Sequence, residues 1–183
     1  MFIDNENCFT TGQSSLITPG FVPSQALPTT VGTNALNNVI DSGPLGGQNT
    51  QALVANSGRD FGMGYPTWLY VLITQALTSG GAPTLDLQLV SSATPNLASP
   101  VVMLDITGGP IAFNSSKLAA GSAFRIALPR AGMNTSLNPN GWLRYIGINS
   151  ILATAALTAG AISAFLTRDI QDNLIYQAGF VVQ

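Results

Sequence analysis

Hydrophobic and polar residues alternate along most of the chain after about residue 65. Leu85, Leu87 and Leu89 lie at every second position between polar residues, and the same period recurs in residues 101–106 and 122–128. A period of two is typical of a β-strand with one buried face and one outer face. These segments are therefore predicted to be half-buried strands.

Other segments extend this pattern of strands. Residues 65–76 are almost continuously apolar, which predicts a strand that is buried on both faces. Residues 158–160 are predicted to form a turn between two further strands. The remaining predicted strands are residues 36–41, 144–152, 161–168 and, more weakly, 174–176.

Glycine and proline separate the predicted strands. Turn sequences occur at residues 79–83, 107–110 and 138–141, where glycine allows positive φ and proline fixes φ and removes a donor. No convincing amphipathic helix is present. Short strands at this spacing predict an all-β domain, which is a sandwich, a jelly roll or a barrel.

The N-terminal part of the chain has a different composition. Pro19, Pro23 and Pro28 interrupt it, and a Gly-rich and Gln/Asn-rich stretch follows at residues 43–56. We interpret residues 1–35 as an extended, loop-rich N-terminal arm and residues 36–183 as a single β domain. The arm has too little apolar content to fold alone, so its order is expected to come from packing on a partner.

The chain is unusually poor in charge. Only 8% of its residues are charged, 46% are hydrophobic, the net charge is -2 and the mean hydropathy is +0.33, whereas ordinary soluble proteins contain about 25% charged residues. We therefore expect much of the surface to be covered by other copies or other proteins. The six basic residues are scattered, which argues against a nucleic-acid partner.

No charged residue occurs between Arg144 and Arg168, and this stretch is long enough to cross a bilayer. However, it contains several Gly, Asn, Ser and Thr residues, and its Ile and Thr content favours a strand, a turn and a second strand. The acidic N-terminus lacks the basic and apolar regions of a signal peptide. Neither a membrane partner nor secretion is predicted.

Catalytic and metal-binding residue types are scarce. The chain has no histidine and one cysteine, Cys8, which excludes His-based catalysis and an intrachain structural zinc site. The close carboxylate pairs are Asp4 with Glu6 and Asp169 with Asp172; a calcium site at the second pair is the alternative to solvated turn residues. We expect no catalytic residue, no cofactor and no metal, and hence a protein that is not an enzyme.

Two features allow more than one interpretation. The adjacent charges of Arg59 and Asp60 either form an exposed pair at a strand entrance or fix an interface through charge-assisted hydrogen bonds. Trp68 and Trp142 are expected to be core or rim aromatics, with stacking on a sugar as the alternative.

Several short motifs resemble, in the same order, the Bbp16-like capsid cement proteins of tailed bacteriophages. The resemblance covers most of the chain. The motifs are Met1-Phe2-Ile3-Asp4, Asn38-Val39-Ile40-Asp41-Ser42-Gly43, Arg59-Asp60-Phe61-Gly62-Met63-Gly64 leading into Leu69-Tyr70-Val71, Arg144-Tyr145-Ile146-Gly147-Ile148-Asn149, and residues 157–164.

The resemblance implies a jelly-roll decoration protein on the outer surface of an icosahedral head, made in the cytoplasm of the bacterial host. Its implied partners are the major capsid protein, whose neighbouring capsomers it bridges, and itself as a homodimer or homotrimer. A phage tail or receptor-binding jelly-roll module that recognises carbohydrate is the alternative. Residues 18–33 and 44–57 depart from the family pattern as insertions. The assembly candidates are Phe2, Ile3, Asp4, Arg59, Asp60, Gly62 and Gly64.

Overall fold

The computed structural model describes residues 8–10, 24–41, 67–128 and 142–168. Within these residues the chain forms strands and one short 3₁₀ helix, Ser116–Leu118. The strands are β1 (Gln25–Ala26), β2 (Gly32–Ala35), β3 (Ile40–Asp41), β4 (Trp68–Thr78), β5 (Thr84–Ser92), β6 (Val101–Asp105), β7 (Ile111–Ala112), β8 (Ala123–Ala127), β9 (Tyr145–Ala153) and β10 (Ala159–Thr167).

The strands form two antiparallel sheets. The first sheet has the order β1-β10-β4-β8, and the second has the order β2-β9-β5-β6, with β3 also on β9 and β7 also on β5. The connections from β4 to β5 and from β9 to β10 both pass from one sheet to the other. The prediction of an all-β fold is confirmed, and the arrangement is consistent with a jelly roll.

The core lies between the inner faces of the two sheets. Leu85, Leu87 and Leu89 on β5 have no exposed surface, as the alternating pattern requires. They belong to one cluster with inward-facing residues of β4 such as Leu69 and Ile73. Full burial of each such side chain contributes about 1.5–3 kcal/mol, so the alternation of the sequence accounts for the packing of the sheets.

Strand β4 differs from its prediction. It is a strand, but it is not buried on both faces: Leu69, Val71 and Ile73 have no exposed surface, whereas Trp68 and Tyr70 on the other face are half-buried. The outer residues Trp68 and Tyr70 are aromatic and therefore counted as apolar. For this reason the sequence shows a continuous apolar run, in which inner and outer positions cannot be distinguished.

The outer face of β5 is also different from the prediction. Asp86 is only 6% exposed because β5 is an interior strand between β9 and β6. The Thr107 hydroxyl donates a hydrogen bond to Asp86 Oδ1 at 2.7 Å, and Gln88 Nε2 donates to Oδ2 at 2.9 Å. The carboxylate is therefore buried with its own donors.

Two boundaries were wrong. The predicted strand at 36–41 is replaced by β2 and β3, with Leu36 between them in the core. The turn expected at 158–160 lies earlier, since β10 begins at Ala159 and Thr154 has a positive φ of 77°. Residues 145–166 form strand, turn and strand as preferred, and no helix in the described ranges has the length and apolarity to cross a bilayer.

Parts of the predicted N-terminal arm pack on the sheets of the same chain, whereas the sequence predicted packing on a partner. Phe9 has no exposed surface, and its N–H donates to the Ala164 carbonyl at 2.8 Å. Strand β1 extends the first sheet and β2 extends the second. The domain boundary at residue 35 stays a prediction, and the predicted turn at 138–141 and strand at 174–176 lie outside the described residues.

Candidate interaction surfaces

One end of the sandwich is closed by short turns. Residues 79–83 connect β4 to β5, and residues 154–158 connect β9 to β10. The hydroxyls of Thr78 and Thr158 lie 2.8 Å apart, and Ser79 Oγ donates to the Ala156 carbonyl at 2.6 Å. We call this end of the sandwich the turn end. The hydrogen bonds between its two turns connect the two sheets to each other.

At the opposite end, which we call the loop end, the long connections begin and finish. Trp68 at the start of β4 pairs with Ala127 at the end of β8 and with Thr167 at the end of β10. In the second sheet, Asp41 at the end of β3 pairs with Tyr145 at the start of β9. The described residues that flank 42–66 and 129–141 therefore lie at the loop end.

The N-terminus also leads to the loop end. Cys8 pairs with Phe165 in an antiparallel bridge, and Phe9 then bonds to Ala164. Because the pairing is antiparallel, the chain before Cys8 attaches on the side where β10 ends.

The sequence-predicted assembly residues lie outside the described residues. The segments that carry them join described residues of the sandwich, namely Cys8, Asp41 and Trp68. All three residues are at the loop end. Sequence reasoning did not find this convergence because it depends on strand pairs that are far apart in the chain. The candidates are Phe2, Ile3 and Asp4 in residues 1–7, and Arg59, Asp60, Gly62 and Gly64 in residues 42–66.

An ion pair ties the loop end together. Arg144 Nε donates to Asp41 Oδ1 and Arg144 Nη2 donates to Asp41 Oδ2, both at 2.8 Å, and the guanidinium lies 5.0 Å from the centre of the Tyr145 ring. The hydrogen bond to Asp41 raises the pKa of Arg144, so the guanidinium remains charged. Two of the family-like motifs thus meet in space, because one carries Asp41 and the other carries Arg144.

A second element of the loop end is the connection from β5 to β6, residues 93–100. Leu97 is 6% exposed and packs on Gly147 of β9, where a Cβ atom would overlap with its side chain. Leu97 and Ser99 have positive φ values of 53° and 48°, a conformation that costs a residue other than glycine about 1–3 kcal/mol. Sequence analysis missed this loop, although the glycine in the motif at 144–149 was a signal.

Hydrogen bonds within this connection fix its shape. Ser92 Oγ donates to the Ala98 carbonyl at 2.9 Å, and the Ala98 N–H donates to Thr94 Oγ1 and Asn96 Oδ1, both at 3.2 Å. Apart from Leu97, residues 93–100 are exposed. The loop end therefore includes an exposed element with a defined backbone.

A third feature is the side of the sandwich formed by β6, β7 and β8, which we call the open side. Here several hydrophobic residues pack against the core but remain half-exposed. A cleft of about 580 Å³ lies along it, with Asp105 and Lys117 among its lining residues. The half-exposed residues are Leu104, Ile111, Phe113, Phe124, Ile126 and Leu128.

Among the described aromatic residues, Trp142 and Tyr70 have little free ring surface for a sugar, whereas Trp68 is half-buried on the outer face of β4. Trp142 is 3% exposed and lies in the core. On the outer face of the first sheet, the rings of Tyr70 and Phe165 have centroids 5.2 Å apart, and Arg125 lies 5.7 Å from the centre of the Tyr70 ring. The Tyr70 ring is thus already in contact with Phe165 and Arg125.

The carboxylates of Asp86 and Asp105 have structural hydrogen-bond donors. Asp105 Oδ1 accepts from the Gly108 N–H at 2.8 Å, and Asp86 is satisfied by Thr107 and Gln88. Among the described residues, no group of three or more His, Cys, Asp or Glu side chains lies close enough to hold a metal ion. Cys8 is buried, and the pairs Asp4 with Glu6 and Asp169 with Asp172 lie outside the described residues.

The Bbp16 family model matches residues 22–166, which is most of the chain. The chain therefore belongs to the Bbp16 family, a phage-associated family. Membership agrees with a bacteriophage structural protein and with the β-rich fold. No curated protein matches the sequence.

Proposed function

We propose that the chain is a capsid decoration protein: it binds the outer surface of an icosahedral phage head and bridges neighbouring capsomers of the major capsid protein. The observation that supports this proposal most is that Cys8, Asp41 and Trp68, where the segments with the assembly candidates join the described structure, all lie at the loop end. Membership in the Bbp16 family supports it. The function needs contact area and fixed geometry, and no catalytic group.

Bridging requires at least two separate contact surfaces. The loop end is proposed to contact the head, and the open side is proposed to contact a second copy of the chain. In a two-fold interface, each contact between one residue of the first copy and another residue of the second copy occurs twice. Lys117 of each copy would therefore meet Asp105 of the other copy. The open side carries both charges next to half-exposed hydrophobic residues, and this combination supports the proposal that a second copy binds there.

Low charge suits such a protein. A specific interface buries about 1,600 Å² in total, and repetition around the head makes many modest contacts act together. Apolar and neutral hydrogen-bonded contacts weaken little with salt, whereas exposed ion pairs are screened. A neutral sandwich therefore stays attached when the ionic strength changes.

The proposal is tested with heads that lack this protein. Purified protein is added to such heads, and binding is followed by sedimentation together with the temperature at which the heads release their DNA. We expect saturable binding and a higher release temperature. Absence of binding would contradict the proposal, as would turnover of a substrate by the purified protein.

The candidate residues are tested in the same assay. Replacing Phe2, Ile3 and Asp4 together by alanine, or Arg59 and Asp60 together by alanine, is expected to weaken binding to heads without changing the thermal unfolding of the free protein. A matched change at the turn end, Ser79→Ala, should leave head binding unchanged. Equal binding by all three variants would remove these residues from the interface.

The alternative, a tail or receptor-binding module that recognises carbohydrate, has less support in the structure. Stacking on a sugar requires an exposed aromatic face, and Trp142 lies in the core while the Tyr70 ring contacts Phe165 and Arg125. A glycan array separates the two functions, because specific glycan binding without head binding would favour the alternative.

A further inference from the structure

We propose that residues 93–100 form a preorganised contact loop for an uncharged protein surface on the assembled head. This inference rests on the proposed function and adds to it the element that makes the contact and the chemistry of the surface that it meets. Three independent features of the loop carry it: its position, its fixed and strained backbone, and its lack of charge.

Position is the first feature. The loop joins β5 to β6 at the loop end, where Ser92 pairs with Tyr145 and Ser91 pairs with Val101. The segments with the assembly candidates attach at the same end. A surface that contacts the loop end therefore also faces residues 93–100.

The backbone is the second feature. Where a connection between two antiparallel strands requires a positive φ, glycine is the usual residue, because it adopts this conformation without a steric penalty. Here Leu97 and Ser99 adopt it nevertheless. Leu97 is fixed over Gly147, and the Ala98 N–H is held by Thr94 and Asn96. Strain of this kind concentrates at functional positions, where the surrounding structure maintains it.

A rigid loop binds with a smaller loss of conformational freedom than a mobile one. The Leu97 side chain packs on Gly147 and so fixes the loop, and the exposed residues on either side of it are held in one arrangement. These positions are Ala93, Thr94, Pro95, Asn96, Ala98, Ser99 and Pro100.

The lack of charge is the third feature, and it defines the partner. No charged residue occurs between Asp86 and Asp105. The loop offers an amide at Asn96, hydroxyls at Thr94 and Ser99, and the apolar rings of two prolines. It contains no cation to neutralise a phosphate, so nucleic acid does not fit it. The matching surface is a protein surface with neutral hydrogen-bonding and apolar groups at the contact.

The test introduces a single charge of either sign at one exposed position of the loop. Asn96→Asp keeps the oxygen that accepts from the Ala98 N–H and adds a negative charge, while Asn96→Lys adds a positive charge. The control is Ala156→Asp, together with Ala156→Lys, because Ala156 is also exposed but lies in the connection from β9 to β10 at the turn end. Binding of each variant to heads that lack the protein is measured alongside the thermal unfolding of the free protein.

Both Asn96 variants are expected to bind heads at least about tenfold more weakly, since burying an unpaired charge in a contact is costly. Both Ala156 variants should bind as the unaltered protein does. A gain in affinity for one sign at Asn96 would show that the head surface is charged and would overturn the assignment of the partner. Unchanged binding of both Asn96 variants would show that the loop is not in the contact.

A second variant tests the anchor. Leu97→Ala removes the side chain that packs on Gly147 and should release the loop, so weaker head binding is expected while the sandwich remains folded by circular dichroism. If Leu97→Ala does not fold, the Asn96 variants alone decide the outcome. Failure of the unaltered protein to bind heads at all would instead contradict the proposed function, so the two failures are distinguishable.

Discussion

Arg144 holds Asp41 by two parallel hydrogen bonds, both of 2.8 Å, at the place where β3 ends and β9 begins. The pair joins the end of β3, which precedes residues 42–66, to the start of β9, which follows residues 129–141. It is partly exposed, with 31% of the Arg144 side chain and 45% of the Asp41 side chain accessible. Its role is therefore to position the loop end more than to stabilise the core.

Replacing Asp41 by asparagine tests this role. Asp41→Asn preserves the shape of the side chain but removes the charge, so we expect a lower melting temperature than that of the unaltered protein, and a difference that shrinks at high salt because exposed charges are screened. Arg168→Gln is the control, since Arg168 is exposed and makes no ion pair among the described residues. A salt-independent difference would mean that the loss is not electrostatic.

Phe9 is expected to contribute strongly to folding although it lies near the N-terminus. Its side chain has no exposed surface and belongs to the core cluster, and truncating a buried phenylalanine costs about 3–5 kcal/mol. Phe9→Ala should therefore lower the free energy of unfolding in urea by that amount. Val31→Ala is the comparison, because Val31 is 56% exposed. If the two variants were equally stable, Phe9 would not be part of the core in solution.

The hydroxyl of Thr107 is expected to matter more than its methyl group. It donates to the buried Asp86 carboxylate at 2.7 Å and accepts from the Leu87 N–H at 3.2 Å. Thr107→Val removes the donor, and a hydrogen bond to a charged group contributes about 1.5–3 kcal/mol. Urea unfolding should show a loss of that size. Thr107→Ser keeps the hydroxyl and should lose less; the reverse order would contradict this explanation of how Asp86 is buried.

Self-association is predicted to use the open side. Phe113 is half-buried there and follows β7 outside a regular strand, so Phe113→Gln should weaken self-association by at least about tenfold, as expected for an aromatic anchor. Val31→Gln changes an exposed apolar residue elsewhere and should have no effect. Analytical ultracentrifugation measures both, and a strictly monomeric unaltered protein would contradict the proposal of a second copy at this side.

The sequence predicted the strands whose alternation is strong. The leucines of β5 pointed inward as expected, and the segments at 101–106, 122–128, 144–152 and 161–168 all became strands. The pattern is local in these segments, because a period of two is written in consecutive residues.

Long-range relationships could not be predicted in the same way. The burial of Asp86 depends on Thr107 and on the neighbours of β5 in the sheet. The split of residues 32–41 into two strands depends on pairing with β9. The position of Cys8, Asp41 and Trp68 at the same end of the sandwich depends on the order of strands in both sheets, which no local pattern contains.

The most direct test of the decoration role is electron cryomicroscopy of heads with and without the purified protein. We predict added density for the β-sandwich on the outer surface, across the joints between capsomers, with the loop end toward the head and residues 93–100 in contact with it. Heads that show no added density at saturating protein, or density that lies elsewhere on the virion, would contradict the account.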